Sequence, residues 1–195
     1  MIKRGFTLLE VSVASFLGLL LLTILISALI PLMQSSRAAL QRMELSQICY
    51  AIRQRLVEDL QKSPTRAINY PSPSALSHFS IQPVEKVGPT GSAAFANSLI
   101  VYEVNLTVGK LSRKECQPAG LAVDYPNSYT ELELNSHFTQ STKPARLLAS
   151  GLLKSFQLAS LTPQQTELKR LQIVLQNGPL TYSWDETVAL RNENL

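Results

Sequence analysis

Residues 11–33 carry no charged side chain. This run constrains the chain more than any other feature. As a helix rising about 1.5 Å per residue it spans roughly 34 Å, enough to cross the hydrocarbon core of a bilayer. It is too long for the apolar core of a conventional secretory signal peptide, which is about 7–15 residues. One carboxylate, Glu10, stands at its very start. A carboxylate inside such a segment costs on the order of 1–3 kcal/mol, less near the interface than at the centre. An anchor gains nothing from Glu10, so the residue needs a separate reason. Lys3 and Arg4 on the short side predict an N-terminus in the cytoplasm and a main body outside it.

The residues around the start of the run form a position-locked pattern: Lys3-Arg4-Gly5-Phe6-Thr7-Leu8-Leu9-Glu10. It resembles the class III signal of type IV prepilins, in which a short basic leader ends in glycine and a membrane aspartyl protease cuts after it. The new first residue, usually phenylalanine, is then N-methylated, and a glutamate stands fifth from the new terminus. The resemblance implies cleavage between Gly5 and Phe6, N-methylation of Phe6, and a role for Glu10 in setting assembly register by pairing with the terminal amine of a neighbouring subunit. Residues 1–5 are then the leader, 6–33 the transmembrane and filament-core helix, 34–62 an amphipathic continuation, and 63–195 an extracytoplasmic β-sheet domain.

The amphipathic continuation is read from the residues themselves. Leu45, Ile48, Cys49, Ile52, Leu56 and Leu60 recur at steps of three and four, which places them on one helical stripe. Arg42, Glu44, Arg53 and Glu58 lie beside or behind it. Pro31 removes one backbone donor and marks a possible kink. Ser63-Pro64 ends the pattern near Lys62. Asp59 beside Glu58 reads as a solvated helix end, because adjacent helical residues do not face each other.

Beyond the helix the pattern changes from a period of 3.6 to a period of 2. Pro64, Pro71 and Pro73 mark a loop region, and 77–84 alternates weakly. Gly88-Pro89-Thr90-Gly91 is a turn cluster. The clearest strand is 98–108, with Ile100, Tyr102, Val104, Leu106 and Val108 on one face and Glu103, Asn105 and Thr107 on the other. Gly109-Lys110 turns into a hairpin partner at 111–116. Residues 118–127 read as loop and 129–134 as a strand. In 145–161 a strand is favoured in the second half, followed by a turn at Leu161-Thr162-Pro163. Residues 167–176 and 180–190 are strands joined at Asn177-Gly178, a hairpin signal. The predicted fold is therefore α+β: one long helix packed through its second half on an antiparallel sheet, a type IV pilin-like arrangement. A looser resemblance joins the body to the PilW/GspJ group of minor pilins and pseudopilins. It rests on Leu56-Val57-Glu58-Asp59-Leu60, the hairpin from Leu99-Ile100-Val101-Tyr102 through Gly109-Lys110-Leu111-Ser112-Arg113, Leu152-Leu153-Lys154-Ser155-Phe156, and the ending Val188-Ala189-Leu190-Arg191-Asn192.

Little in the sequence points to chemistry. Two of the 18 cations sit in the leader, leaving 16 against 14 carboxylates. They are scattered, which argues against nucleic acid as a partner. The histidines, His78 and His137, have no cysteine or carboxylate at ligand spacing, so no metal and no cofactor are expected. Both read as loop or sheet-edge residues. No phosphate loop, nucleophile elbow or zinc helix occurs, and the chain reads as a substrate of an enzyme rather than an enzyme. Cys49 and Cys116 are predicted on the extracytoplasmic side, where a disulfide persists. The helix stripe places Cys49 toward the sheet and Cys116 ends a strand expected to lie on that stripe, so a Cys49–Cys116 bridge is predicted, contributing about 4 kcal/mol in the chain-entropy model.

The function implied is a minor pilin or pseudopilin of a type IV pilus, type II secretion or DNA-uptake filament, acting in assembly initiation or at the tip. Its partners would be other pilins through the N-terminal helix, prepilin peptidase, an inner-membrane assembly platform, and membrane lipid before assembly. It would reside first in the inner membrane as a single-pass protein and then in the filament. The alternative is a membrane-anchored or filament-associated domain that binds DNA or a secreted protein.

Overall fold

A single helix, α1, runs over Leu8–Gln61 in the computed structural model, which describes residues 7–69, 74–89, 92–160 and 168–190. It continues through Pro31 and ends one residue before Lys62. There Ser63 N–H bonds back to the Leu60 carbonyl at 3.1 Å, and Pro64 leads into a short 3-10 turn at Thr65–Ala67. The chain divides into two units, Met1–Met43 and Glu44–Leu195.

In the first unit, every described side chain from Thr7 to Arg37 is exposed. Its most apolar 18-residue window has a mean hydropathy of 2.7, with none of it buried. Among the described residues α1 is the one helix long and apolar enough to cross a membrane. It is apolar on all sides, which suits a lipid surround or an equally apolar packing.

In the second unit, residues 44–61 of α1 are amphipathic. Leu45, Cys49, Ile52, Leu56, Asp59 and Leu60 are buried along one face. Among the described residues three antiparallel sheets accompany it. The first has five strands in the order β1-β2-β5-β6-β7: β1 Ile68–Asn69, β2 Leu76–Ile81, β5 Leu99–Asn105, β6 Lys110–Cys116 and β7 Arg146–Ala149. A two-stranded ribbon pairs β3 Val84–Val87 with β4 Ala93–Phe95. The third sheet runs β10-β9-β8, from β8 Leu153–Ser160, β9 Leu168–Asn177 and β10 Leu180–Ala189. The main core gathers the helix stripe with Phe79, Ile81, Ile100, Tyr102, Val104 and Leu111 of the first sheet and Leu171, Ile173 and Leu175 of the third. The fold is α+β, with the second half of a long helix packed on antiparallel sheets.

Strand β5 is buried on both faces. Ile100, Tyr102 and Val104 enter the main core, while Leu99 and Val101 enter a second cluster with Cys116, Leu134 and Phe138. Leu134 and Phe138 belong to a second helix, α2 Glu131–Gln140, where a strand was expected over 129–134. The alternation Glu131-Leu132-Glu133-Leu134 mimics a strand, but a capping box decides for helix. The Thr130 hydroxyl accepts from Glu133 N–H, and the Glu133 carboxylate accepts from Thr130 N–H. Leu134 and Phe138, four residues apart, then share the buried face. Lys114 Nζ closes the other end of α2 by donating to the Phe138 carbonyl at 2.6 Å, where cations suit the free helix carbonyls.

The β9–β10 hairpin turns one residue later than Asn177-Gly178 implies. Asn177 pairs with Leu180, so Gly178 and Pro179 form the two-residue loop, with Gly178 at φ 57°. Proline cannot take the positive φ that a type I′ turn needs at its second position, whereas glycine followed by proline suits type II′. Pro71, Pro73, Thr90-Gly91, Leu161-Thr162-Pro163 and Arg191-Asn192 lie outside the described residues.

Candidate functional site

The sequence singles out Gly5, Phe6 and Glu10. Gly5 and Phe6 lie outside the described residues. Glu10 sits at the start of α1, in contact with Thr7. Its Oε2 accepts from Thr7 N–H at 2.8 Å and from the Thr7 hydroxyl at 3.0 Å, and Glu10 N–H bonds the same hydroxyl at 3.3 Å. This is a second capping box, with Thr7 at the cap and Glu10 at the third helical position. It gives Glu10 a local role that the sequence reading did not include, although the spacing Thr-x-x-Glu before an apolar run is its signature. The carboxylate remains exposed, so one side is free for a second partner.

The second unit holds the ion pairs that bind helix to sheet. Asp59 is 1% exposed, not solvated as its place beside Glu58 implies. Arg113 of β6 grips it with both branches, Nε to Oδ2 at 2.6 Å and Nη2 to Oδ1 at 3.2 Å, and Tyr102 OH donates to Oδ2 at 2.6 Å. Burial, reinforced by the Asp59 charge, pushes the Tyr102 phenol well above its ordinary pKa. Periodicity held a clue: Asp59 is three residues past Leu56 and seven past Ile52, on the apolar stripe. A second clamp lies on the helix at Arg53, which bonds Glu186 of β10 at 2.7 and 2.9 Å and stands 5.3 Å from the Trp184 ring. Arg53 holds the Glu186 carboxyl below its usual range. The pair is partly exposed, where such contacts contribute about 1 kcal/mol or less.

Cys49 and Cys116 are both buried free thiols, which corrects the expected bridge. The reason is strand parity. Cys116 pairs with Leu99 across the β5–β6 ladder, and Leu99 faces α2, whereas Cys49 lies on the α1 side in the main core. The sheet therefore stands between the two sulfurs. Burial raises the Cys49 thiol to about 11 and also raises Cys116, and a thiol held protonated is a poor nucleophile. The native protein should resist alkylation at pH 8, and both cysteines should label in denaturant without reductant. A single label or none in the unfolded chain would contradict this.

His78 stands where β2 has no strand beside it on the β1 side, because β1 pairs only with Ser80 and Ile81, yet it is only 2% exposed. Its backbone N–H donates to Glu131 Oε1 at 2.8 Å and its Nδ1 lies 2.6 Å from the same oxygen, which fastens the start of α2 to the sheet. His137 is on α2, edge-on to Tyr129 at 5.2 Å. Among the described residues no group of three His, Cys, Asp or Glu side chains could hold a metal ion. No family model, no curated protein and no solved structure matches the chain.

Proposed function

We propose that this chain is a minor pilin or pseudopilin: a subunit cut after Gly5, N-methylated on Phe6, and drawn from the inner membrane into a type IV pilus, type II secretion or DNA-uptake filament. The observation that carries the reading is the Lys3–Glu10 pattern running directly into a helix apolar on every side. A side chain set of that kind leaves lipid only for another apolar surround, which packed helices of neighbouring pilins supply. Prepilin peptidase and the assembly platform act on it before and during that transfer, and a place in the initiating complex or at the tip follows from the likeness to the PilW/GspJ group. In this reading Glu10 pairs with the terminal amine of an adjacent subunit. Such a buried pair fixes register more than it adds net stability.

The capping box supplies a rival role for Glu10, and one substitution separates the two. Glutamine serves at the third position of a capping box as glutamate does, but carries no charge. Glu10→Gln should leave insertion and cleavage intact and lower recovery in sheared filaments or in crosslinked pilin complexes by tenfold or more. The loss follows from removing one member of a buried pair, which costs about 3–5 kcal/mol. Normal recovery with Glu10→Gln, together with a defect in Thr7→Ala, would assign the carboxylate to helix capping alone.

A further inference from the structure

A cleft of about 210 Å³ opens between α1 and β7, lined by Ala51, Gln54, Arg55, Glu58 and Arg146. We propose that it seats one carboxylate side chain, an aspartate or glutamate presented by a neighbouring pilin-like subunit. The proposal rests on the filament reading above and names a contact within it.

The cleft has an uncompensated positive charge. Arg146 is exposed and meets no acceptor among the described residues. Arg55 holds Glu58 through Nη1 at 3.3 Å, but its Nε is buried with no partner. The Arg55 side chain as a whole is 35% exposed, so an incoming acceptor meets its guanidinium elsewhere than at the enclosed Nε. Glu58 meets Arg55 only at Nη1, through Oε2, while its Oε1 accepts from Gln54 Nε2 at 3.3 Å. Arg113, the ladder partner of Arg146, is occupied by Asp59. Three guanidinium groups therefore stand against two carboxylates, an excess of one.

That balance selects the ligand. A single carboxylate neutralises the site, and its planar pair of oxygens matches the fork of an arginine. A nucleic-acid backbone needs a row of cations, which this cleft lacks. Position favours a protein partner. β7 is the terminal strand of its sheet, so a docking subunit reaches the cleft from an open side. A side chain delivered by a docked subunit also acts at a high effective concentration, which a free anion does not.

The test uses the full-length chain in native membranes with a photocrosslinking residue in place of Gln54. The captured peptide should come from a pilin-like subunit and contain an aspartate or glutamate. Arg146→Glu should reduce the crosslink at least tenfold without changing thermal unfolding, since Arg146 has no partner among the described residues. Exchanging the partner's acid for arginine should restore the crosslink in the Arg146→Glu background. An unchanged yield with Arg146→Glu, failure of the exchange to restore it, or a captured peptide without an acidic residue would overturn the proposal. So would the absence of any pilin crosslink. The N-terminus is read in the same sample. If it is Phe6, any of these results removes the cleft assignment and leaves the filament reading standing. If it is Met1, both fall together.

Discussion

Replacing Asp59 with alanine should lower the stability of the folded domain by about 3–5 kcal/mol. The side chain is buried and serves two partners at once, the Arg113 guanidinium and the Tyr102 hydroxyl. Removing it leaves a largely buried cation without a counter-charge and a phenol without an acceptor. Against a total of about 5–15 kcal/mol for an ordinary domain, such a loss is large enough to expose the helix stripe. Asp59→Asn separates charge from shape. It keeps an acceptor for Tyr102 but leaves Arg113 uncompensated, so it should fall between wild type and alanine. The double change Asp59→Leu with Arg113→Met should recover part of the loss, because well-packed apolar replacements of a buried pair are often neutral or stabilising, while the Tyr102 hydroxyl still lacks its acceptor. Denaturant unfolding of the detergent-solubilised protein reads all three. A double variant no more stable than Asp59→Ala would show that the network does more than satisfy its own charges.

Phe79→Ala should cost about 3–5 kcal/mol. Phe79 is 4% exposed and lies between two rings, stacked on Tyr102 at 4.7 Å with an interplanar angle of 2° and on Phe156 at 5.4 Å with 17°. Phe156 comes from β8 of the three-stranded sheet, so this stack ties that sheet to the five-stranded one. The cost combines lost burial with a cavity flanked by two rigid rings that cannot close over it. Phe79→Leu refills part of the volume and should cost clearly less. An alanine variant within about 1 kcal/mol of wild type would mean that the two sheets are held together mainly elsewhere. The same unfolding curves measure this.

The long helix, the β5–β6 hairpin and the β9–β10 pair are legible because each is long enough for its apolar pattern to emerge. Residues 44–61 show a clean 3.6-residue stripe, and Ile100, Tyr102 and Val104 alternate onto the buried face as expected, whereas the strand stops at Asn105 and leaves Leu106 and Val108 in the turn, with Val108 exposed. Short elements were not legible. β1, β3 and β4 have two to four residues, too few for any period to emerge. Helix α2 was hidden by an alternating run, and only its cap distinguishes it from a strand. The cysteine expectation failed on parity: one step along β6 exchanges the α1 side for the α2 side, and the sequence pattern does not say which residue of a strand meets the stripe. Asp59 sits on the stripe, but its neighbour Glu58 gives the pair the look of a solvated helix end. At the candidate site, Glu10 stood out as a charge beside an apolar run, while its contact with Thr7 became evident only once the helix start was seen.

The claim that organises the rest is cleavage after Gly5 by a prepilin peptidase. Mass spectrometry of the N-terminal peptide, from protein expressed at native level in its own cell, tests it most directly. The expected peptide begins at Phe6 and carries one methyl group on its amine, and a bulky residue at Gly5 should leave the chain uncut. A peptide beginning at Met1, or one cut beyond the apolar run, would contradict the filament-subunit reading.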